Sequence, residues 1–124
     1  MLTVDSTRAG IAEARDAAQA YLGESCPWAD RGAVVLVASE LITNAVRHAG
    51  GWWRMRLLAA DGLLTMEVED ASPLPPRPRP AQLDGGGGLG WHLVRRLAGQ
   101  VEVRPGESGK VVRVSWTAPS PATV

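Results

Sequence analysis

The segment from Trp52 to Asp70, "WWRMRLLAADGLLTMEVED", constrains this fold more than any other stretch of the chain. Trp53, Met55, Leu57 and Ala59 fall on one side of a two-residue alternation, with Trp52, Arg54 and Arg56 on the other. After the turn signal Asp61-Gly62, Leu64, Met66, Val68 and Asp70 alternate with Thr65, Glu67 and Glu69. The pattern predicts an antiparallel hairpin that sets Arg54 and Arg56 against Glu67 and Glu69 on its wet side. A sheet that is apolar on one side must be covered there by another layer. Asp70 breaks the rule, because it ends the apolar row. A carboxylate in that position needs a donor, since burying an unpaired charge is costly. Two readings are open: it caps the turn after the strand, or it accepts a hydrogen bond from an exocyclic amine.

The rest of the chain supplies the covering layer. Ile11, Ala14, Ala18, Tyr21 and Leu22 recur at helical spacing, so a helix is expected from about Arg8 to Leu22, closed by Gly23. A second should run from about Asp30 to His48, with Asp30 as N-cap and Gly50-Gly51 as its stop. "ASPLPPRPRPAQLDGGGG", with five prolines and four glycines, suits neither a helix nor a central strand. It reads as a long loop over about 71–87. "LGWHLVRRLAG" restores the helical period through Leu89, Leu93 and Leu97, and "QVEVRP" and "KVVRVSW" then form a closing hairpin. The start offers at most "LTV" as a strand, and the tail from about 117 to 124 is expected to be disordered. The expected architecture is α+β: one domain over 1–124, a two-layer sandwich with a mixed, mostly antiparallel sheet and helices on one face.

Charge narrows the functions. Thirteen basic and thirteen acidic residues cancel, so neither nucleic acid nor an anionic membrane is the expected partner. Cys26 is the single cysteine, which rules out an internal disulfide and suits a reducing compartment. The start lacks a signal-peptide pattern, and the longest apolar run, Ala33 to Ala38, is far too short to span a bilayer. A cytoplasmic location is the expectation.

Two further stretches carry polar chemistry. In "ASELITNAVRHAG", Glu40, Thr43, Asn44 and Arg47 share a stripe of an otherwise apolar helix. That stripe is either a solvated face or a site. As a site, the Asn44 amide oxygen would take one position on a hydrated Mg²⁺ while Glu40 accepts a proton from an attacking hydroxyl or water. His48, at the helix end, reads first as a partner of the helix dipole. Gly85, Gly87 and Gly90 satisfy G-x-G-x-x-G, yet no strand precedes them and no acid follows at the right distance, so a dinucleotide fold is excluded. The glycines are either a flexible linker or an anion site at Gly88-Leu89-Gly90, where bare N–H groups open a helix.

Taken in chain order, these stretches resemble the ATP-binding (Bergerat) fold shared by gyrase, the heat-shock chaperone and histidine kinases. More closely, they resemble the serine-kinase anti-sigma factors and their short actinobacterial relatives. "SELITNAVRHAG" is similar to the N-box E-L-x-x-N-A-x-x-H, "VEDASP" stands where the G1 box begins, and "GGGGLGWHLVRRLA" is similar to the G2 box. The resemblance implies ATP and Mg²⁺ as cofactors, with Asn44 as metal ligand, Glu40 as catalytic base and Asp70 as acceptor of the adenine amine. Gly86, Gly88, Leu89 and Gly90 would wrap the phosphates, with Arg47 and His48 beside them. The Pro-rich loop, with Arg77 and Arg79, would be the lid. Implied partners are a sigma factor and an anti-anti-sigma protein of the STAS type, with a homodimer as the implied assembly. Two departures stand out: Ser72-Pro73 replace the first G1 glycine and its neighbour, and Val111 is read where relatives often place a Thr. The implied activity is a serine/threonine protein kinase, and the alternative is a non-catalytic module that regulates a partner by binding it.

Overall fold

A computed structural model describes residues 1–48, 50–72, 88–105 and 109–119. The elements in chain order are β1 (Leu2–Asp5), α1 (Ile11–Ser25), α2 (Arg31–His48), β2 (Trp53–Ala60) and β3 (Leu63–Asp70), then α3 (Gly88–Leu97), β4 (Gln100–Pro105) and β5 (Lys110–Thr117). The five strands form one sheet in the order β1-β2-β3-β5-β4, and every pairing is antiparallel. The helices cover one side, giving the two-layer α+β sandwich that the one-sided hairpin requires.

The central hairpin forms as its alternation dictates. Asp61 (φ 55°) and Gly62 (φ 74°) both take left-handed backbone, as a two-residue type I′ connection demands. The register sets Arg54 opposite Glu69 and Arg56 opposite Glu67. Arg54 approaches Glu69 at 3.8 Å, but Glu67 turns the other way, to Arg104 at 2.6 Å and Arg113 at 3.9 Å. On the inner side Met55, Leu57, Leu64, Met66 and Val114 have no exposure and meet Val37, Ile42 and Val94 of the helices. Each such side chain contributes roughly 1.5–3 kcal/mol by leaving water.

Local hydrogen bonding moves several boundaries from where periodicity alone puts them. β1 is a full edge strand, pairing Leu2 to Asp5 with Leu57 to Arg54. α1 starts at Ile11 rather than near Arg8, because Asp5 first captures the Thr7 N–H and hydroxyl in a tight turn. The same helix runs through Gly23 to Ser25, held by buried Leu22 and Cys26, whose contacts outweigh the roughly 1 kcal/mol cost of a helical glycine. α2 starts as expected: the Asp30 carboxylate accepts the Ala33 N–H at 3.1 Å. Gly50 (φ 71°) and Gly51 (φ 93°) then turn the chain out of the helix. None of the described helices is long and apolar enough to cross a membrane. Most of the expected lid, from 73 to 87, and the tail beyond 119 lie outside the described residues.

Candidate functional site

Connectivity brings three polar features to one end of the sheet. Asp70, the last residue of β3, is in register with Trp53, the first of β2, and with Lys110, the first of β5. α2 closes at His48, shortly before Trp53, so its C-terminal half, with Glu40, Asn44 and Arg47, reaches the sheet at the Asp70 end. α3 is anchored at the opposite end. From Leu97 the chain enters β4 at Gln100, opposite Ser115, and the Trp116 indole N–H donates to the Leu97 carbonyl at 3.0 Å. A helix of this length extends about 15 Å, so α3, packed on α2 and β4, directs its N-terminus back toward Asp70 and Lys110.

Asp70 is only 3% exposed, and both its oxygens are engaged. Oδ1 accepts the Ser72 N–H at 2.9 Å, and Oδ2 accepts from the Lys110 ammonium at 2.8 Å. The turn-cap role is therefore filled by one oxygen, which leaves lone pairs on both for a further donor. Lys110, the chain's single lysine, is itself only 7% exposed. Val111, read at the position where relatives often place a Thr, lies opposite Glu69 on the outer face, and Lys110 lies opposite Asp70 on the inner one. Gly109 makes the arrangement possible. A Cβ there would stand 2.5 Å from the Ala71 carbonyl carbon, 2.6 Å from the backbone carbonyl oxygen of Asp70 and 2.7 Å from the backbone nitrogen of Ser72. Neither Gly109 nor Lys110 was singled out from the sequence, although Lys110 heads a row with Val112 and Val114 and so mirrors Asp70 at the end of its own row.

On α2 the polar stripe divides. Glu40 and Asn44 are half-buried and border the core positions Val37 and Leu41, whereas Arg47 is exposed. Neither Glu40 nor Asn44 forms a side-chain hydrogen bond or ion pair with another described residue, so carboxylate and amide are both uncommitted. No group of three or more His, Cys, Asp or Glu side chains converges among the described residues. The Asn44 amide oxygen is a hard donor of the kind that Mg²⁺ takes alongside several waters. His48 is the last residue of α2, and its side chain lies outside the described set, as does Gly86. Gly88, Leu89 and Gly90 form the first turn of α3, whose opening N–H groups lack partners within the helix. Buried Trp91 and Val94 fix that turn to the core. A shallow depression of about 470 Å³ lies on the outer face, lined by Thr65, Glu102, Arg113 and Ser115, and has no part in this arrangement.

A five-stranded antiparallel sheet covered on one side by helices is the architecture of a class of protein, the histidine-kinase-like ATPase fold. The chain belongs to the family described as the histidine kinase-like ATPase domain, which it matches over residues 4–116. Among solved structures it is similar to the histidine kinase domain of the blue-light activated histidine kinase from Erythrobacter litoralis EL346, with 26% identity and a TM-score of 0.54. That similarity covers 71% of this chain and 44% of the other, so the chain spans less than half the length of that structure. No curated protein matches the chain.

Proposed function

We propose that this domain binds ATP with Mg²⁺ and acts as a serine/threonine protein kinase of the anti-sigma type, binding a sigma factor and phosphorylating an anti-anti-sigma partner of the STAS type. What supports the reading is the buried Asp70 at the end of β3, in register with Lys110, together with an element order that ends α2, carrying Glu40 and Asn44, just before β2 and opens α3 with Gly88-Leu89-Gly90. These residues suit the nucleotide chemically. Asp70 keeps acceptor capacity for the adenine amine, Asn44 offers a hard oxygen to Mg²⁺, and the N–H groups of Gly88, Leu89 and Gly90 suit phosphate. The family resemblance assigns Gly86, Arg47 and His48 to the phosphates as well. Bound ATP would supply the transferable phosphoryl group. Glu40 would take the proton of the partner's hydroxyl on its carboxylate, and little more is needed from the protein in such transfers than positioning and charge. The sigma-factor and anti-anti-sigma partners, the homodimer and the cytoplasmic location rest on the family resemblance of the N-box and G2-box stretches.

One observation favours a second reading, a non-catalytic binding module. The Lys110 ammonium already occupies one oxygen of Asp70, so an incoming amine meets a partly neutralised acceptor. A thermal-shift titration with Mg-ATP comes first. A ligand held by the native state at a hundred times its dissociation constant adds about 2.7 kcal/mol, a rise of several degrees in Tm. Radiolabelled ATP with STAS-type partners then separates the readings: phosphoserine formation that Glu40→Ala abolishes supports the kinase, and binding without any transfer supports the module.

A further inference from the structure

The Asp70–Lys110 pair is unusual for a strand end. Lysine carries three N–H donors, and among the described residues Lys110 gives one, to Asp70. A cation only 7% exposed with donors to spare is poorly satisfied by the protein alone. Asp70 is in the complementary condition, since each oxygen accepts one bond and can accept another. The two groups stand side by side, 2.8 Å apart, on the helix-facing side of the sheet at its polar end. Together they present one acceptor next to one donor.

That is the complement of the Watson–Crick edge of adenine, where the exocyclic amine donates beside a ring nitrogen, N1, that accepts. We infer that Lys110 is a base-reading residue: its ammonium donates to adenine N1 while Asp70 accepts from the amine. The inference deepens the ATP-binding reading and rests on it. A charge-assisted bond is stronger than a neutral one, and here the charge on Lys110 is held in place by the carboxylate it accompanies. Gly109 sets the geometry, since any side chain there would push Lys110 away from Asp70.

The test is calorimetric titration of the intact chain with Mg-ADP and with the Mg-diphosphate of 1-deazaadenosine, which lacks the N1 acceptor. The unsubstituted protein should bind the deaza analogue about tenfold or more weakly, the loss expected for one hydrogen bond to a charged group. Lys110→Met should weaken ADP binding by a similar factor and erase the difference between the two ligands. Lys110→Thr leaves Asp70 a hydroxyl donor and serves as the second variant, with a partial loss expected. Equal, measurable affinities of the unsubstituted protein for both ligands would overturn the role of Lys110 while leaving nucleotide binding standing. Tighter ADP binding by Lys110→Met would also overturn it and mark the ion pair as a plug. Binding of neither ligand to the unsubstituted protein would remove both this inference and the ATP reading.

Discussion

Asp5 and Asp70 end their strands in the same way and in very different surroundings. Each turns the chain with its Oδ1, Asp5 by accepting the Thr7 N–H at 3.0 Å and Asp70 by accepting the Ser72 N–H at 2.9 Å. They flank the start of β2, Asp5 opposite Arg54 and Asp70 opposite Trp53. Asp5 belongs to the outer face and completes its bonding locally, with the Thr7 hydroxyl. Asp70 is buried and draws its second partner, Lys110, from a strand forty residues further along the chain. Turn formation accounts for Asp5 entirely. It accounts for only half of Asp70, because a local cap requires neither burial nor a cation. Stability is a weak reason for such a pair, since apolar replacements of buried ion pairs are often neutral or better.

The sharpest way to break the comparison is to remove the cation. Lys110→Met strands a buried carboxylate and should cost about 3–5 kcal/mol in urea unfolding. Asp70→Asn combined with Lys110→Met leaves no unpaired charge and should recover a large part of that loss. A cost below about 1 kcal/mol for the single change would place Asp70 with the exposed pairs of the outer face, such as Arg104–Glu67, which contribute at most that much.

Gly109→Ala sharpens the comparison from the backbone side. The added methyl meets backbone atoms of Asp70, Ala71 and Ser72 at 2.5–2.7 Å, and none of these can swing aside like a side-chain tip. A loss of about 1–3 kcal/mol is expected, as for other overpacked sites. It should come with faster hydrogen exchange at the Ser72 amide, whose bond to Asp70 the clash disturbs. Gly62→Ala is the control: the nearest atom lies 3.7 Å from the new methyl, and the only penalty is the left-handed φ of 74°, roughly 1 kcal/mol. The Ser72 amide should not respond to it.

These residues also show what a single sequence can reveal of such a site. The hairpin, its register and the misplaced carboxylate were legible because alternation is a local signal, and Asp70 visibly violates it. The Asp30 cap was legible for the same reason. Lys110 obeys the identical logic, at the head of the row Lys110, Val112, Val114. It went unread because a lysine beside a turn ordinarily stretches its ammonium into solvent. That β5 lies beside β3 is a non-local fact, decided by the sheet order and not by any pattern between residues 70 and 110. The same is true of Glu67, which leaves its expected partner Arg56 for Arg104 on β4. β1 was nearly invisible, since a four-residue edge strand carries too little alternation to register. The Glu40–Asn44 spacing was plain in the sequence, but their lack of partners among the described residues was not.

The smallest expected effect concerns Asp5. The two hydrogen bonds from Thr7, the hydroxyl one foremost, hold its carboxyl below the ordinary value of 3.8 in the folded protein. A lowered folded value means that the unfolded chain takes up its proton first as the pH falls. The contribution to stability is therefore complete above the unfolded value and disappears as pH drops through the folded one. Thr7→Ala removes the hydroxyl and keeps the backbone bond, so its melting temperature should sit slightly below that of the unsubstituted protein at neutral pH. The gap should narrow as the buffer is taken down through the folded value, below which the carboxyl is protonated in both states. A gap that persists in acid would mean that Thr7 acts through packing and not through Asp5. A gap at neutral pH as large as that of Lys110→Met would mean that the shared turn motif, and not the buried cation, dominates at both strand ends, and the contrast between them would fail.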